Sequence, residues 1–139
     1  AYALWSQVDA DAAALMRRFW PGPLTLIGRP GTSLAWDLAA AGRVASVSAR
    51  MPQDEFVQRI LSEVGPCTYL ACPPAHSADE LRLMIGDDAS VYVTPAVPTS
   101  VQATTVVDVR GYAPILVRAG AIAADELRKV CPALTVSEA

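Results

Sequence analysis

No helix runs through Trp20-Pro21-Gly22-Pro23, because each proline lacks a backbone N–H and fixes its own φ. The same punctuation returns at Gly65-Pro66, at Pro73-Pro74 and at Cys131-Pro132. These breaks cut the chain into short segments, each of which must be a short helix or a short strand. Asp9 is placed to cap a helix whose apolar positions Ala13, Leu15, Met16 and Phe19 recur at helical spacing. Leu24 to Arg29 then reads as a strand, Pro30 to Ser33 as a loop, Leu34 to Ala41 as a helical turn, and Val44 to Arg50 as a second strand. Gln53 and Asp54 open a helix to Val64 that carries Phe56, Val57, Ile60, Leu61 and Val64 on one face. Cys67 to Ala71 reads as a short buried strand, Ser77 or Asp79 starts a helix through Ile85, and Val91 to Val93 reads as a further strand. Thr105 to Val109 and Ile115 to Arg118 form an antiparallel pair around Gly111 and Pro114, and a last helix runs from Ala123 to Val130. Helices and strands mix without strict alternation. The expected fold class is therefore α/β (α+β), a twisted mixed open sheet with flanking helices.

A chain of 139 residues is one ordinary domain. With 53% apolar and only 18% charged residues it is not intrinsically disordered. Its net charge of -3 does not advertise nucleic-acid binding. No apolar run reaches the ~18 residues of a membrane span. Mean hydropathy is +0.30, which leaves apolar surface for a partner. The expected assembly is a homodimer or a complex with another chain. Cys67, Cys72 and Cys131 form an odd set without a CxxC pair, so neither a zinc site nor a disulfide framework is expected. That pattern fits a reducing cytoplasmic compartment.

Few residues can carry chemistry. His76 is the one histidine, and after Pro73-Pro74 its default is an exposed, idle side chain; Lys129 is the one lysine, and the chain contains no asparagine. Asp87-Asp88 and Arg17-Arg18 are adjacent pairs on solvated helix ends or faces. No Gly-rich phosphate loop is present. What remains is Arg50 at the end of a strand, Thr104 and Thr105 at the start of another, and Arg118 at the end of a third. Two guanidinium forks and two hydroxyls at strand ends are what an anion-binding sheet edge needs. The same arginines read equally well as ordinary edge charges.

These positions fall within four motifs in order. Phe19-Trp20-Pro21-Gly22-Pro23-Leu24-Thr25 resembles the FWPGPLT signature of the YrdC-like family, the threonylcarbamoyladenylate synthases. Arg50-Met51-Pro52 resembles its R-x-P, Thr104-Thr105-Val106-Val107-Asp108 its S-T-V-V-D, and Arg118-Ala119-Gly120-Ala121-Ile122 its R-x-G-x-I. The resemblance implies a concave sheet and a reaction joining L-threonine, bicarbonate and ATP into threonylcarbamoyl-AMP, used in tRNA modification. It further implies double-stranded RNA as a partner of related members, and Arg50, Thr104, Thr105 and Arg118 as nucleotide- or substrate-binding residues. ATP or AMP and L-threonine are then the expected ligands, with no tightly bound cofactor and no metal. The family's P-T-D-T-x-Y-G-L loop and K-x-R motif would precede Ala1, so the chain is expected to be a truncated single domain over residues 1–139. The S-x-N positions carry Ala71-Cys72-Pro73, and Thr94-Pro95-Ala96 replaces a D-x-G turn. The expectation is thus a catalytically degenerate relative with residual nucleotide or RNA binding. An active synthase whose N-terminal half lies elsewhere, and a structural module without ligand, are the alternatives.

Overall fold

The computed structural model describes residues 4–32, 34, 46–69, 77–93 and 102–137. Contacts divide the chain into two units, one made of Ala1–Gly65 with Ala103–Ala139 and the other of Pro66–Gln102.

The first unit is built on helix α1, Ala10–Phe19, where the Asp9 side chain accepts from the Ala12 N–H at 2.8 Å as foreseen. Pro21 and Pro23 then release the chain into β1, Leu24–Gly28. Strand β2 covers Val47–Arg50 and helix α2 covers Glu55–Val64, capped by Asp54. In the second unit, Ser77 caps helix α3, Ala78–Ile85, which runs into a single 3₁₀ turn at Gly86–Asp88. Back in the first unit come β3 (Thr105–Asp108), β4 (Ile115–Arg118), helix α4 (Ala124–Val130) and β5 (Thr135–Val136). Together the strands form one mixed sheet in the order β2-β1-β3-β4-β5. β1 runs antiparallel to β2 and parallel to β3; β3 and β4 are antiparallel, and β4 and β5 parallel.

Alternation decides the two faces. Ala49, Leu26, Val107 and Leu116 share one register row and are buried, with Leu24 one row away. Leu15 and Met16 of α1 and Leu127 of α4 belong to the same apolar cluster, so the helices cover that face. Cys131 closes α4, its Sγ 3.7 Å from the Asp11 carbonyl, and burial pushes its thiol up to about 11. At the end of β1 the Trp5 ring lies against Gly28, where a Cβ would fall 2.3 Å from the indole, and its Nε1–H donates to the Val47 carbonyl.

Several expectations are corrected. Cys67–Tyr69 and Val91–Val93 form no strand, and Cys67, Thr68, Tyr69, Val91 and Val93 are exposed. A short apolar run has strand propensity, but a strand exists only where a neighbour takes its hydrogen bonds. β5 is too short, at two residues, to show a period in the sequence. Helix α2 is amphipathic as read, yet none of its residues is buried, and Phe56, Ile60 and Val64 are exposed. The expected turn after Leu34, the first residues of the second strand, His76, and Ala71-Cys72-Pro73 lie outside the described residues. So do Cys72 and Thr94-Pro95-Ala96.

Candidate functional site

The four motifs meet at one end of the sheet. Gly22 sits so close to the end of α1 that a Cβ would lie 2.4 Å from the Phe19 carbonyl oxygen, and its N–H donates to the Met51 carbonyl at 2.8 Å. That bond ties the first motif to the second. The Pro23 carbonyl accepts from the Thr105 N–H at 2.9 Å, tying the first to the third. The Trp20 indole N–H donates to the Leu24 carbonyl at 2.8 Å and holds the turn between them. Arg118 joins the fourth motif to the third: its Nε and Nη2 donate to the Thr104 carbonyl at 3.1 and 2.9 Å, and Nη2 also reaches Thr104 Oγ1 at 2.7 Å.

Register then lines up a row that carries an arginine at each end. Arg50 lies opposite Thr25, Thr25 beside Val106, and Val106 opposite Arg118. Cross-strand neighbours project from the same face, here the face away from α1 and α4. Arg50 and Arg118 are both exposed and stand three strand spacings apart, about 14 Å at the backbone. Thr25 is itself buried, with its Oγ1 3.5 Å from Thr104 Oγ1, so the hydroxyls lie between the two cations and Thr104 is the one nearer the ligand side. Thr25 was not among the residues singled out from the sequence, although the first motif contains it; only its register beside Arg50 marks it.

The chemistry of this row follows from its donors. A guanidinium carries five N–H groups, and Arg118 commits Nε and Nη2 to Thr104. Its Nη1 edge makes no hydrogen bond among the described residues. Thr104 Oγ1 accepts from Arg118, which leaves its own proton to donate. A ligand atom between them must therefore be an acceptor, and a carboxylate or phosphate oxygen gains most from the charge. The structure brings Arg50, Thr104 and Arg118 to the same end of the sheet. Thr105, by contrast, is fully buried, pairs with Leu24 in the row facing the core, and its hydroxyl is taken up by the Ile122 backbone. Thr104, the last residue before β3, turns its hydroxyl to Arg118, while Thr105, the first residue of β3, turns its own to the core, so the two do not both face the ligand.

Lys129 pairs with Glu126 one turn away on α4. Asp87 and Asp88 are exposed in the 3₁₀ turn, and no group of three metal-ligating side chains occurs among the described residues. No helix among the described residues is long and apolar enough to cross a membrane.

The opposite end of the same strands has a different character. Asp108 there accepts from Arg110 Nε and Nη2 and from the Arg110 backbone N–H, while Arg29 Nε donates to the Arg110 carbonyl. A cavity of about 90 Å³ beside them is lined by Gln7, Asp9, Arg29, Val109, Arg110 and Gly111. The Arg110 hydrogen bonds hold the Asp108 carboxyl below its ordinary value near 3.8. Because the folded value is the lower one, this contribution is present above about pH 4 and is lost as pH falls through the folded value. Asp108→Asn is expected to remove up to about 1 kcal/mol at pH 6 and less at pH 2. Urea midpoints at both pH values measure this, and an equal loss at the two would refute it.

Fold and site together define an open mixed α/β sheet with Arg50, Thr104 and Arg118 near one end of its strands. The chain belongs to the Sua5/YciO/YrdC family, whose model, described as telomere recombination, matches residues 1–120. It is 35% identical over 125 residues to a candidate threonylcarbamoyl-AMP synthase of Mycobacterium tuberculosis, covering 86% of this chain and 56% of that protein. The chain thus spans about half the length of the curated relative it matches. Among solved structures, Pyrococcus abyssi Sua5 in complex with L-threonine superposes with a TM-score of 0.80 at 23% identity, covering 97% of this chain and 41% of that one. Escherichia coli YciO superposes with a TM-score of 0.65 at 22% identity, covering 88% and 62%. These two likenesses establish the fold.

Proposed function

We propose that this chain is a threonylcarbamoyl-AMP synthase relative that binds a small anionic ligand at the Arg50–Thr25–Thr104–Arg118 edge and performs no adenylation by itself. One observation carries the reading: all four motifs converge on that edge, joined by hydrogen bonds between every consecutive pair in space. The ligand chemistry is a carboxylate or phosphate oxygen, supplied by L-threonine, which the Pyrococcus protein holds, or by an adenine nucleotide.

The absence of activity rests on the chain's own residues. Transferring an adenylyl group requires several charges fixed around the phosphates, and each missing one costs orders of magnitude in rate. At the S-x-N positions this chain carries Ala71-Cys72-Pro73, which offer no hydroxyl and no amide side chain. Incubated with ATP, L-threonine and bicarbonate, the 139-residue chain is expected to release no pyrophosphate above a protein-free control. Threonine-dependent pyrophosphate release would overturn the inactive reading and favour a competent synthase. Titrations with AMP and with L-threonine, followed by amide NMR shifts, test the binding half. Millimolar affinity, about 4 kcal/mol, is expected for at least one of them. No shift at Thr25, Thr104 or Arg118 with either would end that half.

A further inference from the structure

Thr105 is fully buried at the first position of β3, yet its side chain is polar. Its hydroxyl donates to the Ile122 carbonyl at 3.0 Å and accepts from the Ile122 N–H at 2.9 Å. A hydroxyl bonded to both backbone groups of one residue fixes that residue in position and direction, much as a paired strand residue would. Ile122 closes the segment that leaves β4, and Arg118 opens it. Between them, the Ala121 N–H donates to the Ala103 carbonyl at 2.9 Å, and Gly120 lies against the same backbone. A Cβ on Gly120 would come within 2.4 Å of Ala103 O and 2.5 Å of Thr104 C. The segment 118–122 is therefore seated on residues 103–105 along its whole length. Arg118, at the near end of that seat, meets the Thr104 carbonyl with two of its nitrogens.

We infer that Thr105 is a positioning residue for Arg118. Without touching the ligand, its hydroxyl sets how the chain leaves β4, and so keeps the Arg118 Nε edge on Thr104 and the Nη1 edge toward the anion. This rests on the anion-binding function proposed above. Thr105→Val keeps the shape but leaves the Ile122 N–H and C=O buried without partners, which drives that segment to move toward water. Thr105→Ser keeps the hydroxyl.

The first arm of the test needs no ligand. In the ¹⁵N-labelled 139-residue chain, the Arg118 Nε–H is expected to exchange with solvent at least about tenfold faster in Thr105→Val than in wild type, with Thr105→Ser restoring the slow rate. The second arm titrates AMP and L-threonine into wild type, Thr105→Val and Thr105→Ser. For whichever ligand binds wild type, Thr105→Val should weaken binding about tenfold and Thr105→Ser should match wild type. Unchanged Nε–H exchange in Thr105→Val overturns the inference, as does undiminished binding by that variant. If Thr105→Val does not fold, Thr105→Cys, a weaker donor of similar volume, takes its place under the same criteria. Should wild type bind neither ligand, the proposed function falls while the exchange arm still decides the positioning role.

Discussion

Gly120→Ala is expected to destabilise the first unit by about 3 kcal/mol, or roughly 10 °C in Tm, although it adds a single methyl group. The added Cβ would meet backbone: Ala103 O at 2.4 Å, and Thr104 C and Thr105 N at 2.5 Å. A flexible side chain could swing aside, but these atoms belong to the start of β3 and to the loop entering it. The Ala121–Ala103 bond and the Thr105–Ile122 pair are built on this contact, so relieving the clash strains both. Gly111→Ala is the internal control. Its Cβ would meet only Ala113 O at 3.6 Å, an ordinary contact, and its effect should stay within about 0.5 kcal/mol. Chemical denaturation of the two variants beside wild type decides the matter. Equal stability of the pair would mean that residues 118–122 are not seated on residues 103–105.

Arg118→Ala is expected to abolish measurable anion binding. A charge-assisted hydrogen bond contributes about 1.5–3 kcal/mol, equivalent to roughly 10- to 100-fold in affinity. Removed from a site of millimolar strength, that contribution leaves nothing a titration can follow. The variant also frees the Thr104 carbonyl and hydroxyl that Arg118 now holds, so Thr104 loses its fixed orientation together with its neighbour's charge. Arg118→Lys separates the two effects, because lysine restores a cation but not a planar fork. It should recover little of the affinity. Titration of AMP and L-threonine into wild type and both variants gives the answer; undiminished binding in Arg118→Ala would place the ligand elsewhere and leave Arg118 as a structural edge charge.

Much of this architecture was legible because it is local. Asp9, Asp54 and Ser77 cap their helices from the position just before each, and an N-cap is a relation between residues three apart. The β3–β4 hairpin was readable for the same reason, its strands being joined by a short Gly- and Pro-containing turn. Arg50, Thr104 and Arg118 could be singled out as strand-end donors from residue type and punctuation. The cost of burying α2's apolar stripe could not be weighed from its spacing, since periodicity shows which residues share a face and not whether anything covers it.

Local signals thus place the chain breaks, the helices α1 to α4 and the four motifs that hold the donors. The tertiary structure alone decided that β1 runs parallel to β3 some eighty residues later, so that Gly22, Met51, Thr104 and Gly120 meet at one end of one sheet. It alone separated Thr104 from Thr105. Thr104 is the last residue before β3 and Thr105 its first, and a shift of one position would exchange their places. Which of the two hydroxyls turns to the open edge and which to the core is set by the pairing of Thr105 with Leu24, a contact made only when distant strands find their register.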